Sequence, residues 1–169
     1  TDCRYVQIEA QNWNALWESN FEPVDVDGRV LIRAPFHEPS PTAQFEVVIM
    51  PKMSFGTGHH ATTKMMVEMI LDADLKGKSG LDMGSGTGVL AIAACKCGAE
   101  RLDAVDIDDF AYENCGENIV TNGVADRITP IMGDVRAIAG RKYDFILANI
   151  NRNILLGDMD NYLKSLNEG

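Results

Sequence analysis

The densest chemical signal in the chain is Leu81-Asp82-Met83-Gly84-Ser85-Gly86-Thr87-Gly88, placed where a strand pattern ends and a helical one begins. Gly84, Gly86 and Gly88 permit a tight turn and let a ligand approach the main chain closely, while the first helical N–H groups point into the same crevice. Asp106 follows Gly84 by 22 residues, at the end of the next strand pattern, where a carboxylate can accept hydrogen bonds from both hydroxyls of an adenosine ribose. A dinucleotide-binding turn reads G-x-G-x-x-G, but here the third glycine position is Val89 and the pattern is G-x-G-x-G. Asp106 serves either cofactor class; the loop favours S-adenosyl-L-methionine, which needs no pyrophosphate cradle. Asp82 opens the loop and counts with the three glycines among the cofactor-binding candidates. Asp134, after the following strand, is placed to reach an adenine amino group or to serve only its turn. Asp108 reads as a helix N-cap.

His59 and His60 are adjacent, so their side chains diverge, and no acid lies near them in sequence to complete a metal site. No metal is expected. The four cysteines, Cys3, Cys95, Cys97 and Cys115, form no C-x-x-C pair and read as reduced, mostly buried thiols of a cytoplasmic protein.

These residues need a scaffold. Strand patterns run over Ser79–Met83, Arg101–Ile107, Arg127–Met132 and Tyr143–Ile150, alternating with helical patterns over Val89–Lys96, Asp109–Asn122 and Asn153–Leu166. Such alternation implies an α/β fold with a parallel sheet covered on both faces. A further helix begins near Thr62, with Met65, Met66, Met69 and Ile70 on one face, expected to pack in the core. Upstream, Trp13, Leu16, Trp17 and Phe21 have helical spacing, and strand patterns follow at Arg29–Arg33 and Phe45–Met50 around a proline-rich loop. The division is thus a linker helix with entry strands over residues 1–50 and the cofactor-binding domain over 51–169. With 169 residues, 46% of them hydrophobic, the chain has material for one sizeable core. No apolar run is long enough to span a membrane, the opening residues lack the regions of a signal peptide, and the initial Thr1 hints at a fragment boundary. A formal net charge of −10 argues against a broad phosphate-binding surface, so no direct nucleic-acid partner is expected.

Taken together, Phe55-Gly56-Thr57-Gly58-His59-His60-Ala61-Thr62-Thr63, the glycine loop, Ala104-Val105-Asp106-Ile107-Asp108 and Ala148-Asn149-Ile150 resemble the ribosomal protein L11 methyltransferases. The resemblance covers essentially the whole chain, and the FGTGHH-x-TT segment is its most specific part. It implies a Rossmann-like class I methyltransferase sheet, truncated before the fifth of seven strands, with an apolar edge left exposed. It further implies S-adenosyl-L-methionine held by Thr63, Gly84, Asp106 and Asn149, with Phe55, Gly56, Thr57, Gly58 and His60 in a loop closing over it. The acceptors would be the N-terminal amine and lysines of a large-subunit ribosomal protein, with Asn149 as the catalytic residue that orients the amine. Ala61 and the pair Asn151-Arg152 depart from the family pattern beside the expected acceptor site. Three alternatives remain. A methyltransferase of base amino groups would carry an aromatic platform after Asn149, absent from Asn149-Ile150-Asn151-Arg152. A nicotinamide-dependent oxidoreductase is disfavoured by Val89. A non-catalytic cofactor-binding fragment is compatible with the truncation.

Overall fold

The computed structural model describes residues 22–51 and 61–168. The expected N-terminal helix around Trp13 lies outside them.

Two sheets are present among the described residues. The first joins β1 (Val24–Val26), β2 (Val30–Arg33) and β3 (Phe45–Val48), with β1–β2 antiparallel and β2–β3 parallel. The second is wholly parallel, with β4 (Ser79–Met83), β5 (Arg101–Asp106), β6 (Ile128–Met132) and β7 (Phe145–Ala148) in the spatial order β6-β5-β4-β7. Its helices are α1 (Ala61–Asp72), α2 (Val89–Lys96), α3 (Asp109–Thr121), α4 (Arg152–Gly157) and α5 (Met159–Ser165), and a 3₁₀ turn runs over Val135–Ile138. From β4 the chain steps outward through β5 to β6, then returns to the other side of β4 as β7. The reversal opens a crevice beyond the carboxyl ends of β4 and β7, where open α/β sheets bind ligands.

Helix α2 explains how the two sheets combine. Every residue from Val89 to Cys95 is buried, so this helix is apolar around its whole circumference and must be covered on all sides. The parallel sheet covers one side; α1 and β3 contact it from elsewhere. Val26, Val30, Ile32, Val47 and Ile49 from the first sheet therefore share one core with Ile92, Leu102 and Ile119. Lys96 adds a tie across the seam, its Nζ donating to the Glu46 carbonyl at 2.6 Å. Residues 24–50 thus form the outer wall of the core around α2.

Three expectations need correction. The methionine stripe of α1 faces the core only in part: Met66 and Ile70 pack against it, but Met65 and Met69 are 60% and 69% exposed, and Thr63 and Val67 take buried positions. Their spacing also fits a helix face, but Thr63 carries too little hydrophobicity to mark it. The single helix expected over Asn153–Leu166 is two helices, broken where Gly157, a poor helix former, meets Asp158. The last strand is shorter than its apolar run, because β4 offers partners only from Gly80 to Met83. This frees Asn149 and Ile150 from the ladder and places them in the crevice loop.

Strand β7 is the edge of the parallel sheet, and its residues are only partly buried. Beside it runs an apolar groove of about 460 Å³, lined by Met66, Met69, Leu147, Leu155, Met159 and Leu163 among others. This is the exposed apolar edge expected from the sequence.

Candidate functional site

The glycine loop starts where β4 ends. The Gly84 and Ser85 N–H groups both donate to the Val105 carbonyl, at 2.8 and 3.0 Å, stitching the loop to β5. Gly84, Gly86 and Gly88 all have positive φ, at 70°, 54° and 79°. A Cβ at Gly84 would lie 2.2 Å from Ile150 Cγ2, and one at Gly88 would lie 2.7 Å from Cys115 Sγ. Two separate constraints therefore demand glycine here, the left-handed backbone and the absence of room.

At the end of β5, half-buried Asp106 anchors the same loop. Its Oδ2 accepts from the Gly86 N–H at 2.8 Å and its Oδ1 from the Asp108 N–H at 3.1 Å. A carboxylate offers about four acceptor sites, so each oxygen retains capacity for a further donor. Asp108 caps α3 as expected, accepting from the Ala111 N–H at 2.8 Å. Asp82, inside β4, is 1% exposed. Its Oδ2 accepts from the Ala91 N–H at 3.0 Å in the first turn of α2, while its buried Oδ1 has no partner among the described residues. Burial, reinforced by the nearby Asp106 charge, pushes its carboxyl up to about 7.

Opposite the loop, at the end of β7, Asn149 Nδ2 donates to Thr63 Oγ1 of α1 at 3.3 Å, and Thr63 is buried. Residues 86 positions apart in sequence thus meet at the end of β7. Asn151 caps α4, its side chain accepting from the Asn153 N–H at 2.8 Å, which gives a local purpose to one departure from the family pattern.

Asp134 follows Gly133, whose N–H donates to the Asp106 carbonyl at 2.8 Å. Both Asp134 oxygens are engaged by Arg136 Nε and Nη2, and Oδ1 also accepts the Arg136 N–H, capping the 3₁₀ turn; this pairing holds its carboxyl below the usual range. Phe55, Gly56, Thr57, Gly58, His59 and His60 lie outside the described residues. Cys95 and Cys115 are buried and unpaired, while Cys97 is only half-buried.

Sequence reasoning passed over an apolar group beside Asp106. Ile107 and Phe110 are 74% and 72% exposed, and Met132, paired in register with Asp106, is also exposed. The signal was available, since Ile107 stands between two aspartates where a solvated strand end would be polar.

A nucleoside-bearing methyl donor fits this donor set. Asp106 retains lone pairs at the lip of the loop, and among the described residues the buried Asp82 Oδ1 lacks a donor. Two carboxylates at one end of the sheet also favour a cationic ligand over a pyrophosphate.

A parallel sheet with this strand reversal, glycine loop and acidic second strand end is a Rossmann-like sheet of the class I methyltransferase type. The sequence profile of the family described as ribosomal protein L11 methyltransferase matches residues 1–169, and the chain belongs to that family. It is 49% identical over 160 residues to a ribosomal protein L11 methyltransferase of Porphyromonas gingivalis, covering 94% of this chain and 55% of the relative. Identity to the Phocaeicola vulgatus relative is 46% over 165 residues, 96% of this chain and 58% of the other. The chain spans a little over half the length of these curated relatives. Among solved structures, a ribosomal protein L11 methylase from Lactobacillus delbrueckii subsp. bulgaricus superposes with a TM-score of 0.76 at 30% identity, covering 87% of this chain and 76% of that one. A tRNA m1G37 methyltransferase of M. jannaschii superposes at 0.55 with 28% identity, covering 62% of this chain and 32% of that chain.

Proposed function

We propose that this chain supplies the donor-binding site of an S-adenosylmethionine-dependent methyltransferase acting on amino groups of a large-subunit ribosomal protein, its N-terminal amine and lysines. The observation that carries the reading is the convergence of the glycine loop, Asp106 and the Asn149–Thr63 pair on the crevice between β4 and β7.

S-adenosylmethionine, when bound, supplies an electrophilic methyl group on a sulfonium cation. Everything else falls to the chain. Asp106 offers its free lone pairs to the ribose hydroxyls, and Ile107 and Phe110 offer exposed apolar surface to the base. Gly84 and Gly86 allow the main chain to approach closely. The Asp82 and Asp106 carboxylates favour the positive charge of the donor. Aligning two reactants in this way supplies roughly 7–11 kcal/mol in favourable cases.

The acceptor must arrive as a neutral amine. At pH 7 that costs about 4–5 kcal/mol for a lysine of pKa near 10.4, but only about 1 for an α-amino group near 7.8. Asn149 cannot serve as a base. Its Nδ2 is committed to Thr63, which leaves Oδ1 to accept an amine N–H and turn the lone pair toward the methyl group.

The test is transfer of labelled methyl groups to ribosomal protein L11, with rRNA as competitor and Asn149→Ala alongside. Label on the protein's amines, cut at least tenfold in the variant, supports the proposal. Label on the RNA, or a chain that binds the donor yet methylates neither, sinks it.

A further inference from the structure

Asn114 and Asn118 of helix α3 and its C-cap Asn122 stand at four-residue spacing along one face, and all three reach backbone groups elsewhere in the fold. Asn122 accepts from the Val48 N–H at 3.0 Å and donates to the Val48 carbonyl at 2.7 Å. Its carboxamide thereby replaces the peptide of a neighbouring strand. Asn118 accepts from the Met50 N–H at 2.9 Å, and Asn114 donates to the Met50 carbonyl at 3.3 Å. Asn118 also reaches the glycine loop, its Nδ2 donating to the Thr87 carbonyl at 3.0 Å. Asn118 is 1% exposed and Thr87 fully buried, so water cannot substitute for that donor.

The chemistry of Thr87 makes the bond consequential. In one more turn of α2, the Thr87 carbonyl would accept the Ala91 N–H. Asp82 Oδ2 holds that N–H instead, and the carbonyl passes to α3. The loop is therefore held at both sides, with the Gly86 N–H on Asp106 and the Thr87 carbonyl on Asn118.

We propose that Asn118 is the positioning residue of the glycine loop: its amide donor to Thr87 holds the loop in the shape that receives the donor nucleoside. The proposal rests on the methyl-donor reading of that loop. Asn118 touches no ligand itself.

Asn118→Asp is the sharpest test, because it keeps the acceptor for Met50. At pH 9 its ionised carboxylate has no proton to give Thr87; burial at this position raises a carboxyl's pKa, so toward pH 5 the neutral acid restores a donor. Asn122→Asp is the matched control, since Asn122 reaches β3 but not the loop. Amide hydrogen-exchange protection would be measured on the ligand-free chain, with calorimetric titration of S-adenosylhomocysteine beside it. At pH 9, Gly86–Ala91 of Asn118→Asp should lose at least tenfold more protection than in Asn122→Asp, recover toward the control at pH 5, and bind the probe at least tenfold more weakly. Equal loop protection in the two variants at both pH values overturns the proposal. So does a loss spread over β4 and β5 as well as the loop, which would make Asn118 a general stabiliser. Loosening of the loop with unchanged affinity overturns it too. A wild-type chain that fails to bind the probe refutes the donor reading, while loop protection still decides whether Asn118 sets the loop.

Discussion

Two carboxylates lie inside the parallel sheet on neighbouring strands and face opposite ways. Asp103 of β5 pairs in register with Leu81, and Asp82 of β4 pairs with Ala104, one residue on, so they project from opposite faces. Asp103 is complete. Its Oδ2 accepts from the Tyr143 hydroxyl at 2.7 Å and from Arg141 Nη1 at 2.8 Å, so its charge is balanced within the fold. Burial and the Asp103 carboxylate together push the Tyr143 phenol up, which keeps it a donor. Asp82 is more deeply buried and has one backbone N–H, an idle oxygen and a second carboxylate, Asp106, close enough to disfavour its ionisation. One acid is a finished structural pair. The other leaves hydrogen-bonding capacity unspent at the end of the sheet where the glycine loop sits, and takes up its charge only as pH rises through about 7.

The largest expected contrast is in stability. Asp103→Ala leaves the Tyr143 hydroxyl buried without its acceptor and Arg141 without its counter-charge, and should cost about 2–3 kcal/mol in urea denaturation. A loss under 1 kcal/mol would show that the Arg141–Asp103–Tyr143 group is dispensable.

Per pH unit, the pH dependence follows in size. The folded-state pKa of Asp82 lies above its ordinary value of 3.8, so the fold keeps a proton that the unfolded chain has released. That contribution is fully present below pH 3.8 and is lost as pH rises through about 7. Relative to Asp82→Asn, wild-type stability should therefore fall between these limits, by at most about 1.4 kcal/mol per pH unit. Parallel curves for the two proteins would mean that Asp82 titrates no differently in the fold than in the unfolded chain.

Ligand affinity should separate the two acids in the reverse sense. Asp82→Asn, which removes negative charge beside the loop, is expected to weaken S-adenosylmethionine about tenfold at pH 8, while Asp103→Asn changes it less than about twofold. Equal effects would erase the functional distinction between the faces.

Much of the site was legible in the sequence because its parts are local. The glycine loop and Asp106 sit at the ends of adjacent strands, where composition and spacing carry the signal. Asn149 and Thr63 lie far apart along the chain, and only the family resemblance joined them. Two features were illegible for a physical reason. The idle oxygen of Asp82 shows only once its burial is known, and Met65 and Met69 look like core until Thr63 and Val67 are seen to occupy that face. The asparagine face of α3 was equally silent, since its partners are backbone atoms in β3 and the loop.

The most direct test of the account is calorimetric titration of the chain with S-adenosylmethionine, with NADH as the control ligand and Asp106→Ala alongside. The account predicts saturable binding of the methyl donor, none of NADH, and at least a tenfold loss of donor affinity in the variant. Binding of NADH, or donor binding unchanged by Asp106→Ala, would contradict it.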